Sequence, residues 1–459
     1  MIKSPSRQFW LSVSNLALPV AGQTFLQSFL GMADVVMVSS LGETAVAAVG
    51  LSAKLHFLLL VIMMGIATAC SILVAQYYGA GKNDQYRNTL ITALVVGLIT
   101  MLPFVLAFGQ FSDAWVRWIN PDQRVVALAG EYLAITALVL IASLIIVVFE
   151  GALRAIGDTK LPLVASVISA TLNVVLNYAL IFGHWGFPAL GVAGAAWGTL
   201  ISRVVQMCVV LGWVYWTRNP FAFRLDDLRS ALRSKNFSRY LQFALPLVIN
   251  YGAWATGNAT YHIVTGYAGT DALAVMGVIV PVELAFFSIF IGLANASAVL
   301  IGHELGRDNT EKAWQLHLFF DRLATALVIM FSISVWLSRS YIVNIFGQTG
   351  QETAVLLLHT LTIFCMLMWL KVLNLMRIIG VLRAGGDIRF CLVTDVIVMW
   401  VFGIPVYIVA VFVLKLPFLV LFCLIYLEEF LKFFPVWKRV KKRIWIQNLT
   451  RDSAHTPPG

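Results

Sequence analysis

The segment GALRAIGDTK at residues 151–160 returns in the second half of the chain as GVLRAGGDIR at residues 380–389. Six of the ten positions are identical, and a basic residue ends both segments. A second match supports the first, because the triplet ALP at residues 17–19 recurs at residues 244–246, displaced along the chain by almost the same amount. Chance similarity between apolar helices does not explain two such motifs at nearly the same separation. The chain is therefore predicted to be an internal duplication.

The composition is that of an integral membrane protein. Of the 459 residues, 60% are hydrophobic and only 12% are charged, whereas soluble domains carry roughly a quarter charged residues. A spanning helix needs about 20 apolar residues, so the chain has room for about twelve spans and for no large catalytic or nucleic-acid-binding domain. The apolar runs predict an all-α membrane protein with twelve transmembrane helices near 10–38, 46–76, 88–110, 127–153, 161–183, 190–216, 238–264, 272–303, 316–338, 353–380, 388–413 and 416–434.

The duplication predicts two pseudo-symmetric lobes of six helices each. Both repeats contain an even number of spans, so both begin on the same side of the membrane and are related by an axis along the membrane normal. We assign residues 1–216 to an N-lobe, 217–237 to a cytoplasmic linker, 238–434 to a C-lobe and 435–459 to a basic cytoplasmic tail. Such lobes can rock around a site at the membrane midplane, which favours a carrier.

The net charge of +10 reflects topology rather than nucleic-acid binding. Most Lys and Arg residues fall in the predicted cytoplasmic segments, while the opposite side holds only Arg117, Arg124, Arg339 and Lys415. This asymmetry follows the positive-inside rule. It predicts a multi-pass protein of the inner (plasma) membrane with both termini in the cytoplasm.

Several separated motifs resemble the multidrug and toxic compound extrusion (MATE) family. They are the Pro19 helix that ends in MADVV at residues 32–36, AQYYGA at 75–80, GALR and GDT within 151–159, the pair Asn173 and Asn177, and the segment from Trp437 to NLT at 448–450. The resemblance covers nearly the whole chain. It implies export of amphipathic organic compounds, such as drugs and toxic metabolites, in exchange for inward sodium or protons.

Asp34 is the leading candidate for ion coupling, because an ionisable group within the bilayer is costly unless it faces a cavity or a partner. Asn173 and Asn177 are four residues apart and so share one face of the fifth helix, and Thr199 lies in the sixth. Together these groups can form an oxygen cage for sodium or a pocket in which a carboxylate binds a proton. The resemblance assigns the same four residues to an ion site. Some relatives have a carboxylate at the position of Asn177, so the identity of the ion stays open.

The alternatives for these residues are structural. Asp34 can form a static ion pair with Arg203, since buried charges are usually paired. The two asparagines can serve as hydrogen-bonding contacts between helices, and Thr199 as a packing residue.

Five more residues within the predicted spans are candidates for a substrate cavity. They are Lys54, His56, Arg203, Tyr261 and Glu283. The displacement that carries the first ALP triplet onto the second, called the ALP shift here, carries His56 onto Glu283 and Asp34 onto Tyr261. Helix packing is the alternative for His56.

The second half is expected to lack an ion site of the kind found in many relatives. Where they often have acidic residues in the seventh and tenth helices, this chain has NYGAW at residues 250–254 and KVLN at residues 371–374, and no carboxylate is close in sequence. Lys371 and Arg377 are expected to snorkel or to pair with Asp395. If they line the cavity instead, they favour anionic or zwitterionic cargo.

The sequence contains no Walker A loop, no metal-ligand cluster and no Ser/His/Asp arrangement on a common loop. We therefore expect no cofactor and no enzymatic activity, and a monomer whose partners are a small-molecule substrate and the lipid bilayer. Two alternatives stay open. A lipid-linked saccharide flippase of the same superfamily would have many cations along its cavity, and a membrane-embedded transferase would need a His or Cys at the membrane face.

Overall fold

A computed structural model of the chain describes residues 6–231, 234–346 and 351–451. Within these ranges the backbone consists of helices and short loops and contains no β-strand. The helices are α1 (Arg7–Ser39), α2 (Glu43–Gly79), α3 (Asn83–Ile119), α4 (Gln123–Ala155), α5 (Lys160–Phe182), α6 (Val192–Trp216), α7 (Leu225–Ala231), α8 (Ser234–Gly266), α9 (Thr270–Gly306), α10 (Thr310–Phe346), α11 (Gln351–Arg377), α12 (Ile388–Val396), α13 (Ile404–Phe412), α14 (Phe418–Ile425) and α15 (Leu427–Lys441). Nine helical segments of the described residues are long and apolar enough to cross a membrane, which confirms the predicted all-α membrane class.

The predicted spans from the first to the ninth each correspond to one helix, but the last three are interrupted. The tenth continues from α11 into a π-helical turn at Ile378–Arg383, and a second π-helical turn at Ile397–Gly403 joins α12 to α13. Pro405 follows the second turn and has no backbone N–H to bond to the residue four positions earlier. Single π-helical turns within α-helices are frequent at functional sites.

Two helices differ from the prediction in the segments predicted to be cytoplasmic. The short helix α7 lies within the predicted linker, and α15 continues to Lys441, beyond the predicted end of the last span at residue 434. Acidic residues occupy the first turn of α15 and basic residues its last turn. This distribution stabilises the polar part of the helix through the helix dipole, so the helix continues where the apolar run ends.

The chain forms two compact units. The first, called the N-unit here, contains Gly22–Val74 and Gly81–Val248; the second, the C-unit, contains Ala75–Ala80, Ile249–Gly459 and the stretch before Gly22, in each case over the described residues. Each unit therefore consists mainly of one repeat and includes the beginning of the first long helix of the other repeat. The largest apolar core of the C-unit lies among α9, α10 and α11. The limits of the two lobes stay predictions.

Close helix contacts at glycine explain this exchange of helix ends. In the N-unit, a Cβ at Gly65 of α2 would lie 2.7 Å from the Cα of Val248 in α8. In the C-unit, a Cβ at Gly292 of α9 would collide with the carbonyl oxygen of Ala17 in α1 and lie 3.0 Å from the backbone nitrogen of Ala21. Small residues allow such backbone approach in membrane helices. Gly65 and Gly292 are equivalent under the ALP shift, so both repeats use the same contact.

Gly292→Ala is expected to destabilise the protein by about 1 to 3 kcal/mol, because the added methyl group overpacks the contact between α9 and α1. The measurement is thermal unfolding in detergent. Gly277→Ala in the same helix is the matched control, since a Cβ at Gly277 meets no atom within 4 Å of the described structure and alanine favours helix. Equal unfolding temperatures for the two variants would contradict the close packing of Gly292 against α1.

Candidate ion-coupling site

The four predicted ion-site residues lie together in the N-unit. Asp34 Oδ1 accepts a hydrogen bond from Asn177 Nδ2 at 2.8 Å, and the same amide nitrogen donates to Asn173 Oδ1 at 3.2 Å. Asn173 Nδ2 lies 3.4 Å from Thr199 Oγ1. Both asparagines are buried, and Asp34 and Thr199 are half-buried. Helices α1, α5 and α6 thus bring one carboxylate, two amides and one hydroxyl into a single cluster.

One oxygen atom in this cluster accepts no hydrogen bond from any described residue. Asn177 Oδ1 is buried and has no hydrogen-bond partner among the described residues. Gly198 of α6 leaves room for it, because a Cβ at that position would collide with Asn177 Oδ1. Leaving a buried acceptor unsatisfied costs about 1 to 3 kcal/mol. An added cation or proton donor would satisfy this oxygen, and carboxylate, amide and hydroxyl oxygens are the ligands that hard cations prefer.

Gly198→Ala is expected to weaken ion binding, because its methyl group would displace Asn177 Oδ1. We expect the ion concentration for half-maximal exchange to rise about tenfold, which corresponds to about 1.4 kcal/mol. Initial rates against sodium concentration and pH measure it. Gly212→Ala in the same helix is the control, since no described atom lies within 4 Å of its Cβ position. An unchanged ion dependence in Gly198→Ala would show that the oxygen is not a ligand.

Two residues that the sequence did not indicate extend the cluster. The hydroxyl of Tyr132 in α4 interacts with Thr199 and lies within electrostatic range of Asp34. Ser202 Oγ lies 3.5 Å from Asn173 Nδ2. A tyrosine or a serine in an apolar helix gives no signal of its own, because both are common packing residues there.

The static ion pair between Arg203 and Asp34, considered above, is not formed among the described residues. Arg203 instead donates from its Nη1 to Gln206 Oε1 at 3.0 Å. Its charge acts at longer range on both Asp34 and Glu150. Arg203 therefore connects the Asp34 cluster to a second polar cluster in the same unit.

Glu150 in α4 is the centre of this second cluster, and no motif in the sequence indicated it. Its side chain is buried, with 3% exposure. Its two carboxylate oxygens accept hydrogen bonds from Gln23 at 2.8 Å and from Gln206 at 3.1 Å, and Arg154 Nη1 lies 3.8 Å away. The signal was present, because Glu150 is a lone acid at the end of a long apolar run, as costly to bury as Asp34.

The other N-unit candidates for the substrate cavity are His56 and Lys54. Within the described residues, neither forms a hydrogen bond or an ion pair with these two clusters. His56 Nδ1 lies 3.0 Å from the carbonyl oxygen of Ser52, and its Nε2 lies 3.3 Å from that of Thr136. This is the arrangement of a residue that joins two helices, which is the alternative considered for His56. Lys54 is exposed.

The C-unit candidates belong to another ionic network. Glu283 forms an ion pair with Lys371, and Arg377 forms two hydrogen bonds to Asp321 at 2.9 and 3.1 Å. The expectation that Lys371 or Arg377 pairs with Asp395 is therefore wrong, because helices adjacent in space supply closer acids. Tyr261 is buried against Tyr407, with ring centroids 5.2 Å apart.

Carboxylates lie close to Asn250 and Asn374 in space, although none is close in sequence. Asn250 Nδ2 donates to Asp395 Oδ2 at 2.9 Å, and Asn374 Nδ2 donates to Glu429 Oε2 at 2.8 Å. The argument from sequence neighbours was wrong here, because α12 and α15 supply these acids. Both acids also lie within ion-pair distance of Lys432, at 3.5 and 3.8 Å.

Comparison with known proteins gives the family. The family model MatE matches residues 19–179 and 246–409. The chain belongs to the MatE family. The ALP shift carries the first residue of one match onto the first residue of the other, which confirms the duplication. Members of this family are transporters, which confirms the expected carrier and the expectation that the protein is not an enzyme.

Curated relatives and solved structures agree with this membership. The probable multidrug resistance protein NorM of Thermotoga maritima is 27% identical over 403 residues, covering 85% of this chain and 83% of the relative. The probable multidrug resistance protein YoeA of Bacillus subtilis is 25% identical and covers 88% of this chain and 87% of the relative. An outward-facing multidrug resistance MATE family transporter of the MOP superfamily has a similar fold, with a TM-score of 0.84 at 20% identity, covering 94% of this chain and 96% of that one. These likenesses confirm a multi-pass membrane transporter fold.

Proposed function

We propose that this MatE protein is a secondary antiporter of the inner membrane that exports amphipathic organic compounds, including drugs and toxic metabolites, in exchange for inward sodium or protons. The observation that carries the proposal is the Asp34 cluster, in which a carboxylate lies beside an amide oxygen that has no described donor. NorM and YoeA are both probable multidrug resistance proteins, which supports the cargo class. The charge asymmetry of the loops supports cytoplasmic termini, and the protein acts as a monomer.

The Asp34 cluster suits either coupling ion. Sodium would take Asp34 and the oxygens of Asn177, Asn173 and Thr199 as ligands. A proton on Asp34 would instead turn the carboxylate into a donor, which could bond to Asn177 Oδ1. Either ion neutralises a charge that is costly within the bilayer.

Ion binding is then coupled to the conformation of α1. Asp34 is on α1, while its hydrogen-bond partner Asn177 is on α5, so a change in this contact shifts the preferred position of α1. Pro19 removes one backbone hydrogen bond from this helix and provides a place to bend. Two conformations of different ion affinity are what alternating access requires.

The test is dye transport in proteoliposomes under separate sodium and pH gradients. An ethidium-like dye is expected to accumulate against its concentration gradient when one of the two ions flows in the opposite direction. Liposomes without protein set the background. Folded protein that moves neither the dye nor a panel of anionic compounds under either gradient would refute the proposed function.

The ion pairs of the C-unit weigh against a lipid-linked saccharide as cargo. Such an anionic cargo would need cations available to bind it. Lys371 is paired with Glu283, and Arg377 with Asp321. Arg203 lies in the field of two carboxylates.

A further inference from the structure

Each repeat places an amide between an arginine and a carboxylate, and the N-unit shows the arrangement first. Arg154 Nη1 donates to Gln23 Oε1 at 3.2 Å, and Gln23 Nε2 donates to Glu150 Oε2 at 2.8 Å. Arg154 Nη1 lies 3.8 Å from the same carboxylate oxygen. We call these three residues the N-clamp.

The C-unit repeats these three contacts. Arg383 Nη2 donates to Asn250 Oδ1 at 2.5 Å, and Asn250 Nδ2 donates to Asp395 Oδ2 at 2.9 Å. Arg383 Nη2 lies 3.8 Å from Asp395 Oδ2. These three residues form the C-clamp. Its members are drawn from α8, the first π-helical turn and α12.

Two of the three members are equivalent in the repeats. The ALP shift carries Gln23 onto Asn250. The displacement that carries the segment GALR onto GVLR, called the GALR shift here, carries Arg154 onto Arg383. The amide and the arginine therefore descend from the same positions of the duplicated unit.

The carboxylate comes from a different helix in each repeat. Under the GALR shift, the position of Glu150 in the second repeat is Ile379, and the position of Asp395 in the first repeat is Ser166. Ser166 is already part of the N-clamp surroundings, because its Oγ accepts a hydrogen bond from Gln23 Nε2 at 2.8 Å. In the N-unit, a carboxylate at residue 150 or at residue 166 would thus meet the amide of Gln23.

A second cation is also kept near each carboxylate. The GALR shift carries Arg203 of the N-unit onto Lys432 of the C-unit, and it carries Pro188, which precedes Arg203, onto Pro417. Arg203 lies in the field of Glu150, and Lys432 Nζ lies 3.5 Å from Asp395. Both clamps therefore contain one carboxylate in the field of two cations.

Both clamps hold the helix one turn after a proline. Gln23 follows Pro19 by four residues, and Asn250 follows Pro246 by four residues. Proline interrupts the hydrogen bonds of the turn before it, so the segment that follows is less firmly fixed by the helix itself. The two amides are buried, each with 3% exposure, and their contacts fix this segment to the other helices of its own unit.

We propose that the two clamps are equivalent positioning elements for transport, and that Glu150 and Asp395 have the same role although they lie on different helices. Each clamp fixes the segment after the proline of α1 or α8, so that a bend at the proline moves that segment as one body with its unit. This inference rests on the proposed transport function for its readout.

The test moves the carboxylate of the N-clamp to the position used by the C-clamp. Glu150→Ile removes the carboxylate, and the double variant Glu150→Ile with Ser166→Asp restores it from α5. We expect the maximal exchange rate per folded protein to fall about tenfold in the single variant and to return to within about twofold of the parent in the double variant, a recovery of most of about 1.4 kcal/mol. The substrate concentration for half-maximal rate is expected to stay at the parent value in both, since no member of either clamp is a candidate for the substrate cavity. Ser166→Asp alone is the control, because two carboxylates then face one amide.

Folded yield, measured by size-exclusion chromatography, separates the outcomes. A double variant that regains both folded yield and transport supports the proposal, even where the single variant fails to fold. A double variant that regains yield without transport shows a purely structural role and overturns it, and recovery of neither overturns the equivalence. A parent protein without any exchange refutes the proposed function instead. The reciprocal pair, Asp395→Ser with and without Ile379→Glu, repeats the test in the C-unit.

Discussion

Asp34→Asn is expected to abolish ion-coupled export and to leave the protein folded. The asparagine is close to aspartate in size and keeps an oxygen that can accept the hydrogen bond from Asn177. It has no charge to attract sodium and binds no proton in the physiological range. We expect gradient-driven dye transport to fall at least about 100-fold, the loss that corresponds to about 2.8 kcal/mol of coupling. Proteoliposome transport under the gradient that drives the parent measures it.

Asp226→Asn is the matched control for this substitution. Asp226 is an exposed carboxylate in α7, so its removal changes the net charge equally without touching the cluster. Ligand-induced stabilisation provides a second measurement, because an ion that binds only the folded state raises the unfolding temperature. If sodium is the coupling ion, it should raise the unfolding temperature of the parent and of Asp226→Asn but not that of Asp34→Asn. Transport by Asp34→Asn at the parent rate would remove Asp34 from the coupling role.

Lys432→Met is expected to be the most destabilising single substitution of the C-unit network. Lys432 is buried in α15 and lies within ion-pair distance of Glu428, Asp395 and Glu429, at 2.5, 3.5 and 3.8 Å. Removing one partner of a buried ionic group costs about 3 to 5 kcal/mol, because the remaining charges are left uncompensated. Thermal unfolding in detergent is expected to show this loss.

Lys438→Met in the same helix is its control. Lys438 is exposed, so this variant is expected to change stability by no more than about 0.5 kcal/mol. If Lys432→Met is as stable as Lys438→Met, the burial of Glu428, Asp395 and Glu429 does not require the charge of Lys432.

The fold could be predicted from the sequence to the extent that apolar runs and repeats define it. The runs predicted the long helices α1 to α6 and α8 to α10, because an apolar stretch of spanning length has few other stable states in a bilayer. They did not give the π-helical turns at Ile378–Arg383 and Ile397–Gly403, which depend on local hydrogen bonding rather than on hydropathy. The polar end of α15 was missed because its stability comes from charges at the helix ends.

The four residues of the candidate site could be predicted from helix spacing, from the cost of Asp34 in the membrane and from the family resemblance, but the other contacts between helices could not. Asn173 and Asn177 are one turn apart, and Asp34 was indicated by its cost in the membrane. The contact between Asn250 and Asp395 joins residues 145 positions apart on different helices, and no spacing rule relates them. Glu150 was missed for another reason. It directly precedes the GALR motif, and the motif was interpreted without it.

The contact between Gly65 and Val248 has a consequence for biosynthesis. The ribosome completes the first six long helices before it reaches α8, yet the surface of α2 around Gly65 is covered by the beginning of α8. We therefore expect the nascent first half to expose this surface of α2 to lipid until the first transmembrane helix of the second half is inserted. We expect neither half to complete its packing before both have been translated.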